Sequence, residues 1–204
     1  MLNKYTGVNV TKITKKDRIL KVFIDAAKTQ ILTQGIENVS VRRVAEETGY
    51  SYATIYNYFK DLNALLWEVK KEMIQDLIKW MSQTIPNSKR DLSGIEKIFH
   101  SYVKYYFDNP NVFKFFYFHT VIPTSNSIEN TFDFNSMWID TFSFLIETNQ
   151  LDLEDVKTIS KSLIYTLHGI LTLHFSQNGL HTYESVCSEI DEILSYLVQR
   201  KGVL

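Results

Sequence analysis

Cysteine occurs once in the 204 residues, at Cys187. A disulfide framework needs pairs and a cysteine zinc site needs several thiolates, so both are excluded. Three prolines and seven glycines are few, and the tight turns of a β-sandwich or barrel call for more. No apolar run reaches the ~18 residues that cross a bilayer. The stretch MLNKYTGVNVTKITKKDR lacks the apolar segment of a secretory leader. A cytoplasmic location without membrane association is therefore expected. No Gly-rich phosphate loop, nucleophile elbow or HExxH pair occurs. His168 and His174 are six apart and fall on different faces of one helix. No enzyme is expected, and neither a metal nor a cofactor.

The chain does have enough apolar side chain to build a core. It is 45% hydrophobic and 22% charged, which excludes disorder. Its length suffices for a core without staples. Charge is uneven along it. Residues 1–62 hold ten Lys and Arg against six Asp and Glu; residues 63–204 hold 12 against 17. The basic excess lies at the start, in Lys4, Lys12, Lys15, Lys16, Arg18 and Lys21. Such an arm reads either as a solvated terminus or as a contact to a polyanion.

Helical spacing runs almost throughout and predicts an all-α fold of about nine helices. Ile19, Phe23, Ala26, Ala27 and Ile31 share a face, and Gly35 stops that helix. Ser40 caps a short helix, Val41 to Thr48, which Gly49 ends. Ser51 caps a third, Tyr52 to Phe59, and Asp61 a fourth, running to about Met81. Leu66, Val69, Met73 and Leu77 form the stripe of the fourth. Ser93 and Glu96 form a capping box, followed by Ile95, Ile98, Phe99, Tyr102 and Tyr106 on one face. Asn109-Pro110 breaks that helix, Pro123 ends the next, and 123–134 reads as loop. Further helices are expected over 135–148, from the Asp152 cap to Gln177 with closure at Asn178-Gly179, and from the Thr182 cap to the end.

Two short helices flanking Gly49-Tyr50-Ser51 make a helix-turn-helix pattern. Val41, Val44 and Ala45 turn one face of the first inward, and Ile55 and Phe59 do so for the second. Tyr52, Ala53, Thr54, Asn57 and Tyr58 then face outward. An exposed helix start rich in hydroxyls suits the major groove and a phosphate.

Residues 18–66 resemble the N-terminal domain of the TetR family of transcriptional regulators. The resemblance lies in RILKVFIDAAK (18–28), SVRRVAEETGYSYATIYNYF (40–59) and ALL (64–66). It implies a dimeric reader of a palindromic DNA operator, most often a repressor released by a ligand. The implied organisation is a flexible basic arm over 1–14, a helix-turn-helix domain over 15–62, and a helical ligand-binding and dimerisation domain over 63–204. Helix 61–81 joins the two. Carried over position by position, Ser40 and Arg42 meet the DNA backbone or a base edge, and Tyr52, Ala53 and Asn57 read bases. Thr54, Tyr56 and Tyr58 hold phosphates, and Lys15, Lys16 and Arg18 anchor the first helix. Where the family often has a phosphate-gripping Lys stands Leu62, with Lys60 as a substitute. The recognition helix has no Lys or Arg, so bidentate guanine reading is unavailable there. An A·T-leaning half-site is expected. Helices 153–177 and 183–200 are the implied homodimer face.

Ten of the 28 aromatic residues fall in residues 99–118, several times an even share. Such a cluster reads as pocket lining or as core. Phe99, Tyr102, Tyr106, Phe113, Phe116 and Tyr117, with Trp138, Phe142, Tyr165 and His168 opposite, are the candidate ligand residues. From Phe115 to Val156 there is no Lys or Arg, while seven carboxylates occur. That favours a neutral or cationic lipophilic or aromatic ligand over an anion. The alternative reading is a helical ligand-binding or scaffold protein that binds no DNA.

Overall fold

The computed structural model describes residues 14–84, 91–124, 141–148, 150–179 and 181–199. Among these the chain is all-helical, with nine α-helices and no strand. They are α1 (Lys15–Gln34), α2 (Val41–Thr48), α3 (Tyr52–Tyr56), α4 (Leu62–Thr84), α5 (Leu92–Asp108), α6 (Pro110–Tyr117), α7 (Ser143–Glu147), α8 (Leu153–Phe175) and α9 (Tyr183–Gln199).

The caps explain most of the boundaries. The Thr14 hydroxyl accepts from the Asp17 N–H at 3.1 Å, and the Asp17 carboxylate accepts the Thr14 N–H at 2.9 Å. This reciprocal pair satisfies orphan donors at the start of α1. Gly35 ends α1 at φ +84°, with its N–H on the Ile31 carbonyl. Ser40 caps α2, Ser51 caps α3, Asp61 accepts from the Ala64 N–H, Asp152 caps α8 and Thr182 accepts from the Ser185 N–H. Five of the six expected caps are present; the sixth, Ser93, is not.

Several boundaries differ from the expectation. α3 stops at Tyr56, because the Asn57 and Tyr58 N–H groups bond three residues back, to Thr54 and Ile55. That tightens the last turn. Ser93 does not cap α5. Asp91 does, accepting the Gly94 N–H at 3.0 Å and the Ser93 hydroxyl at 2.7 Å; a carboxylate is the stronger acceptor. α6 ends at Tyr117, well before Pro123. The following segment is held to α4 by Asn63, whose amide donates to the Ile122 carbonyl and accepts its N–H. A single helix over 135–148 is not seen in the described part: the chain turns at Phe142 and a separate short α7 starts at Ser143. Residues 135–140 and the rest of the 123–134 loop beyond Thr124 lie outside the described residues. After α8 the left-handed residue is Gln177, at φ +61°, rather than Gly179. The Asn178 and Gly179 N–H groups both reach the Leu173 carbonyl.

By packing, the chain forms two compact units. The first contains the described residues 14–79 and 109–124, and the second the remainder. In the first, α1 packs on α2 and α6, and α2 packs on α3. Phe23 is its centre. It is fully buried and meets the rings of Tyr50, Tyr58 and Phe59 at centroid distances of 5.1, 5.6 and 6.5 Å. Ala27, Ile31, Val44, Ile55 and the α4 stripe Leu66, Val69, Met73 and Leu77 complete the core. In the second unit, α9 packs on α5 and α8, and α7 packs on α8. Val156, Leu163, Leu167 and Leu171 of α8 and Val186, Ile190 and Leu194 of α9 are all buried, on two helices that pack together.

Candidate nucleic-acid interface

The turn between α2 and α3 is set by Gly49, in the left-handed region at φ +71°. Its N–H and that of Tyr50 close α2 on the carbonyls of Glu46 and Ala45. Only glycine takes this conformation without strain. Val44 and Ala45 on one side and Ile55 on the other are buried, so the two helices share one core. Gln30 of α1 is also buried and donates to Glu47 of α2 at 2.7 Å. Arg43 donates to the Asn38 carbonyl at 2.9 Å and so fastens the 3-10 turn Ile36–Asn38 ahead of α2. That role was not read from the sequence, where Arg43 looks like any exposed cation.

This framework leaves one face of α3 in solvent. Tyr52, Ala53, Tyr56 and Asn57 are all exposed. Tyr52 and Tyr56 stand edge to face, with centroids 5.0 Å apart and hydroxyls 3.0 Å apart. Arg42 on α2 is exposed and pairs with Glu46 at 3.0 Å.

Residues 23–69 match the family model of the bacterial regulatory proteins of the tetR family. The chain carries the tetR-family helix-turn-helix domain. No curated protein matches it in sequence. Solved structures share its fold at low identity. A protein of Mesorhizobium loti described as a TetR-family transcriptional regulator superposes with TM-score 0.70 at 15% identity, over 92% of this chain and 98% of the other. The fatty acid degradation regulator FadR of Bacillus halodurans gives 0.62 at 14%, over 92% and 97%. FadR of Thermus thermophilus, a TetR-family repressor in complex with lauroyl-CoA, gives 0.62 at 11%, over 87% and 92%.

The positions carried over from the tetR-family pattern divide by exposure. Lys15, Lys16 and Arg18 are exposed on the first turn of α1, and Lys60 is exposed beyond α3. The Ser40 hydroxyl is engaged by the Arg43 N–H at 3.3 Å. Thr54 is half-buried with its hydroxyl 2.7 Å from that of Ser51. Tyr58 is half-buried with its ring on Phe23. Most of that side chain therefore serves the tetR-family domain's own core. The arm before Thr14 lies outside the described residues.

The aromatic candidates for a ligand fall in two groups. Phe113, Phe116 and Tyr117 belong to the first unit. Phe99, Tyr102, Tyr106, Phe142, Tyr165 and His168 belong to the second. Phe99, Tyr102, Tyr106 and Phe142 are fully buried. Phe99 meets Phe142 at 6.3 Å and Tyr102 meets Tyr106 at 4.9 Å. The Tyr102 hydroxyl is 2.9 Å from His168 Nε2, with the two rings parallel. Burial lowers the His168 imidazole to about 4, so it is neutral at pH 7. Tyr165 is 67% exposed, and Trp138 lies outside the described residues. In the first unit, Lys70 of α4 donates to the Phe116 carbonyl at 3.3 Å and lies 5.7 Å from the centre of that ring. Burial lowers its ammonium from the usual lysine value. The stretch 115–156 is poor in cations in sequence, yet α4 brings one to Phe116. Among the described residues no group of three His, Cys, Asp or Glu side chains is placed to hold a metal. No helix among them is long and apolar enough to cross a membrane.

Proposed function

We propose that this chain is a sequence-specific transcriptional regulator that reads a palindromic DNA operator as a homodimer and is released from it by a small ligand. The observation that carries this reading is the exposed face of α3. Tyr52, Ala53, Tyr56 and Asn57 stand in solvent on a helix fixed from below by Ile55 and Phe23. A rigid short helix with an apolar and amide surface is what a major groove accepts. Asn57 pairs with an adenine edge, and the apolar groups meet thymine. Arg42, Lys15, Lys16, Arg18 and Lys60 supply phosphate contacts, and Arg42 leaves Glu46 to do so.

A dimer places two such helices on successive turns of one face of DNA. Support for the dimer face comes from α8 and α9. Tyr165, Gly169 and Leu173 make an exposed stripe on α8, and a Cβ on Gly169 would meet nothing within 4 Å. On α9, Glu192, Ile193, Ser195, Tyr196 and Gln199 line a shallow groove of about 400 Å³.

The ligand acts through the aromatic cluster of the second unit and shifts the equilibrium between two spacings of the recognition helices, with α4 as the connection. A hundredfold loss of DNA affinity requires a difference of only ~2.7 kcal/mol in ligand affinity between the two states. A neutral or cationic lipophile suits the aromatic faces. The lauroyl-CoA bound by the Thermus thermophilus relative makes an acyl thioester the first anionic compound to include.

Selection of bound duplexes from a random pool tests the reading. A palindromic, A·T-leaning consensus is the expected result. No enrichment at any salt concentration would end it and leave the helical body as the functional part. Release of the selected duplex by members of a panel of lipophilic cations, neutral aromatics and lauroyl-CoA then tests the ligand.

A further inference from the structure

The recognition helix α3 presents no cation and only one amide, Asn57, at its end. Its largest exposed groups are two rings one turn apart, Tyr52 at 54% and Tyr56 at 43% exposure. They do not move independently. The rings meet edge to face at 69°, a favoured aromatic geometry. Their hydroxyls close the pair with a 3.0 Å hydrogen bond. That bond, first among its causes, raises the Tyr56 hydroxyl above the usual phenol value. Two contacts on one pair of side chains remove rotamer freedom before any partner arrives, which lowers the cost of binding.

In that bond one hydroxyl donates and the other accepts, so one O–H of the pair is used and one remains; the faces of the two rings stay apolar. On the major-groove edges of the four DNA bases, the one apolar group is the C5 methyl of thymine. Ala53, next to Tyr52 and exposed, extends the apolar strip.

We propose that Tyr52 and Tyr56 act as one unit, in which Tyr56 is a positioning residue that holds the Tyr52 ring against a thymine methyl. This rests on the operator-reading function proposed above and gives its A·T preference a physical origin. It also assigns Tyr56 a task beyond the phosphate contact that the family resemblance implies.

The test uses the full-length protein and its selected duplex, with each thymine replaced in turn by deoxyuridine, which lacks only the methyl. Wild type is expected to lose about fourfold in affinity at one thymine per half-site, the worth of one buried methyl. Tyr52→Ala is expected to bind the thymine and uracil duplexes alike. Tyr56→Phe keeps the ring but deletes the hydroxyl bond, and is expected to lose most of the thymine preference. Tyr52→Phe deletes the same bond from the other side and should match it. The double variant Tyr52→Ala with Tyr56→Phe should show no further loss of preference, because both act through one ring. Both rings are exposed, so melting temperatures are expected to stay near wild type.

Two results would overturn the proposal. One is a wild-type protein indifferent to uracil at every position. The other is a Tyr56→Phe variant that weakens both duplexes equally, with a shallower salt dependence and an intact thymine preference. Failure to select any duplex is a different result, because it ends the DNA-binding reading on which the proposal stands.

Discussion

Lys28 of α1 and Glu72 of α4 are joined by a 3.1 Å ion pair with both side chains largely shielded, at 19% and 23% exposure. Lys21 reaches the same carboxylate at 2.6 Å, and Lys28 also pairs with Asp76. Within the first unit these links set the position of α1, which carries the helix-turn-helix core, against α4. Burial alone would raise the Glu72 carboxyl, but the hydrogen bonds from Lys21 and Lys28 outweigh it and hold it below the usual range.

Removing that shared acceptor leaves two lysines without their common partner. Glu72→Gln is expected to cost on the order of 2 kcal/mol in urea denaturation at pH 7. Its folded carboxyl titrates below the unfolded one, so its contribution is present at neutral pH and is lost as pH falls through the folded value. The variant should therefore lose less stability on acidification than wild type. An unchanged denaturation midpoint at pH 7 would show the network to be ornamental.

His168 works in the same direction for a different reason. Its folded value is about 4 against an ordinary 6.5. Between those values the unfolded chain binds a proton that the folded chain does not, so stability rises with pH across that window. Acidification from pH 6.5 to 4 is expected to cost on the order of 3 kcal/mol through this residue. His168→Gln should flatten that part of the profile in thermal melts. A slope identical to wild type would assign the acid sensitivity elsewhere.

Gly49 separates space from conformation. A Cβ there would meet nothing within 4 Å, but φ is +71°. Gly49→Ala is expected to cost about 1–2 kcal/mol, all of it backbone strain. Gly49→Asn should cost less, since asparagine tolerates the left-handed region. Chemical denaturation of the two variants checks the order.

The interface variants should divide by mechanism. Arg42→Ala is expected to weaken binding to all duplexes alike and to reduce the slope of affinity against salt by about one. Asn57→Ala should instead relax the preference at one base pair, by about 1–3 kcal/mol. Titrations of matched and mismatched duplexes at two salt concentrations distinguish them. If Asn57→Ala also behaved as a uniform loss, Asn57 would not be a reader.

The local chemistry of the N-terminal domain was legible because its signals are short-range. Ser40, Ser51 and Asp61 can cap only the helix that follows them, and Gly49 can be replaced only at a cost in strain. The inward face Val44, Ala45 and Ile55 follows from helical period alone. The competition between Asp91 and Ser93 for one helix start was not legible, since both residue types are good caps and the stronger acceptor prevailed. Nor was the anchoring of the segment after α6, where Ile122 is held by Asn63, some sixty residues earlier in the chain.

By itself the sequence determined the all-helical class, five of the six expected caps, the helix-turn-helix and the residues that can turn outward from it. These depend on neighbours within a turn or two, so the chain carries them in its spacing. Only the tertiary structure decided which candidates are free to act. It put the Tyr58 ring under Phe23 and brought Lys70 to Phe116. It also divided the aromatic cluster between two units, one of which closes Tyr102 onto His168. Those outcomes depend on side chains that meet across long separations, where burial and hydrogen bonding choose among partners that sequence spacing leaves equal.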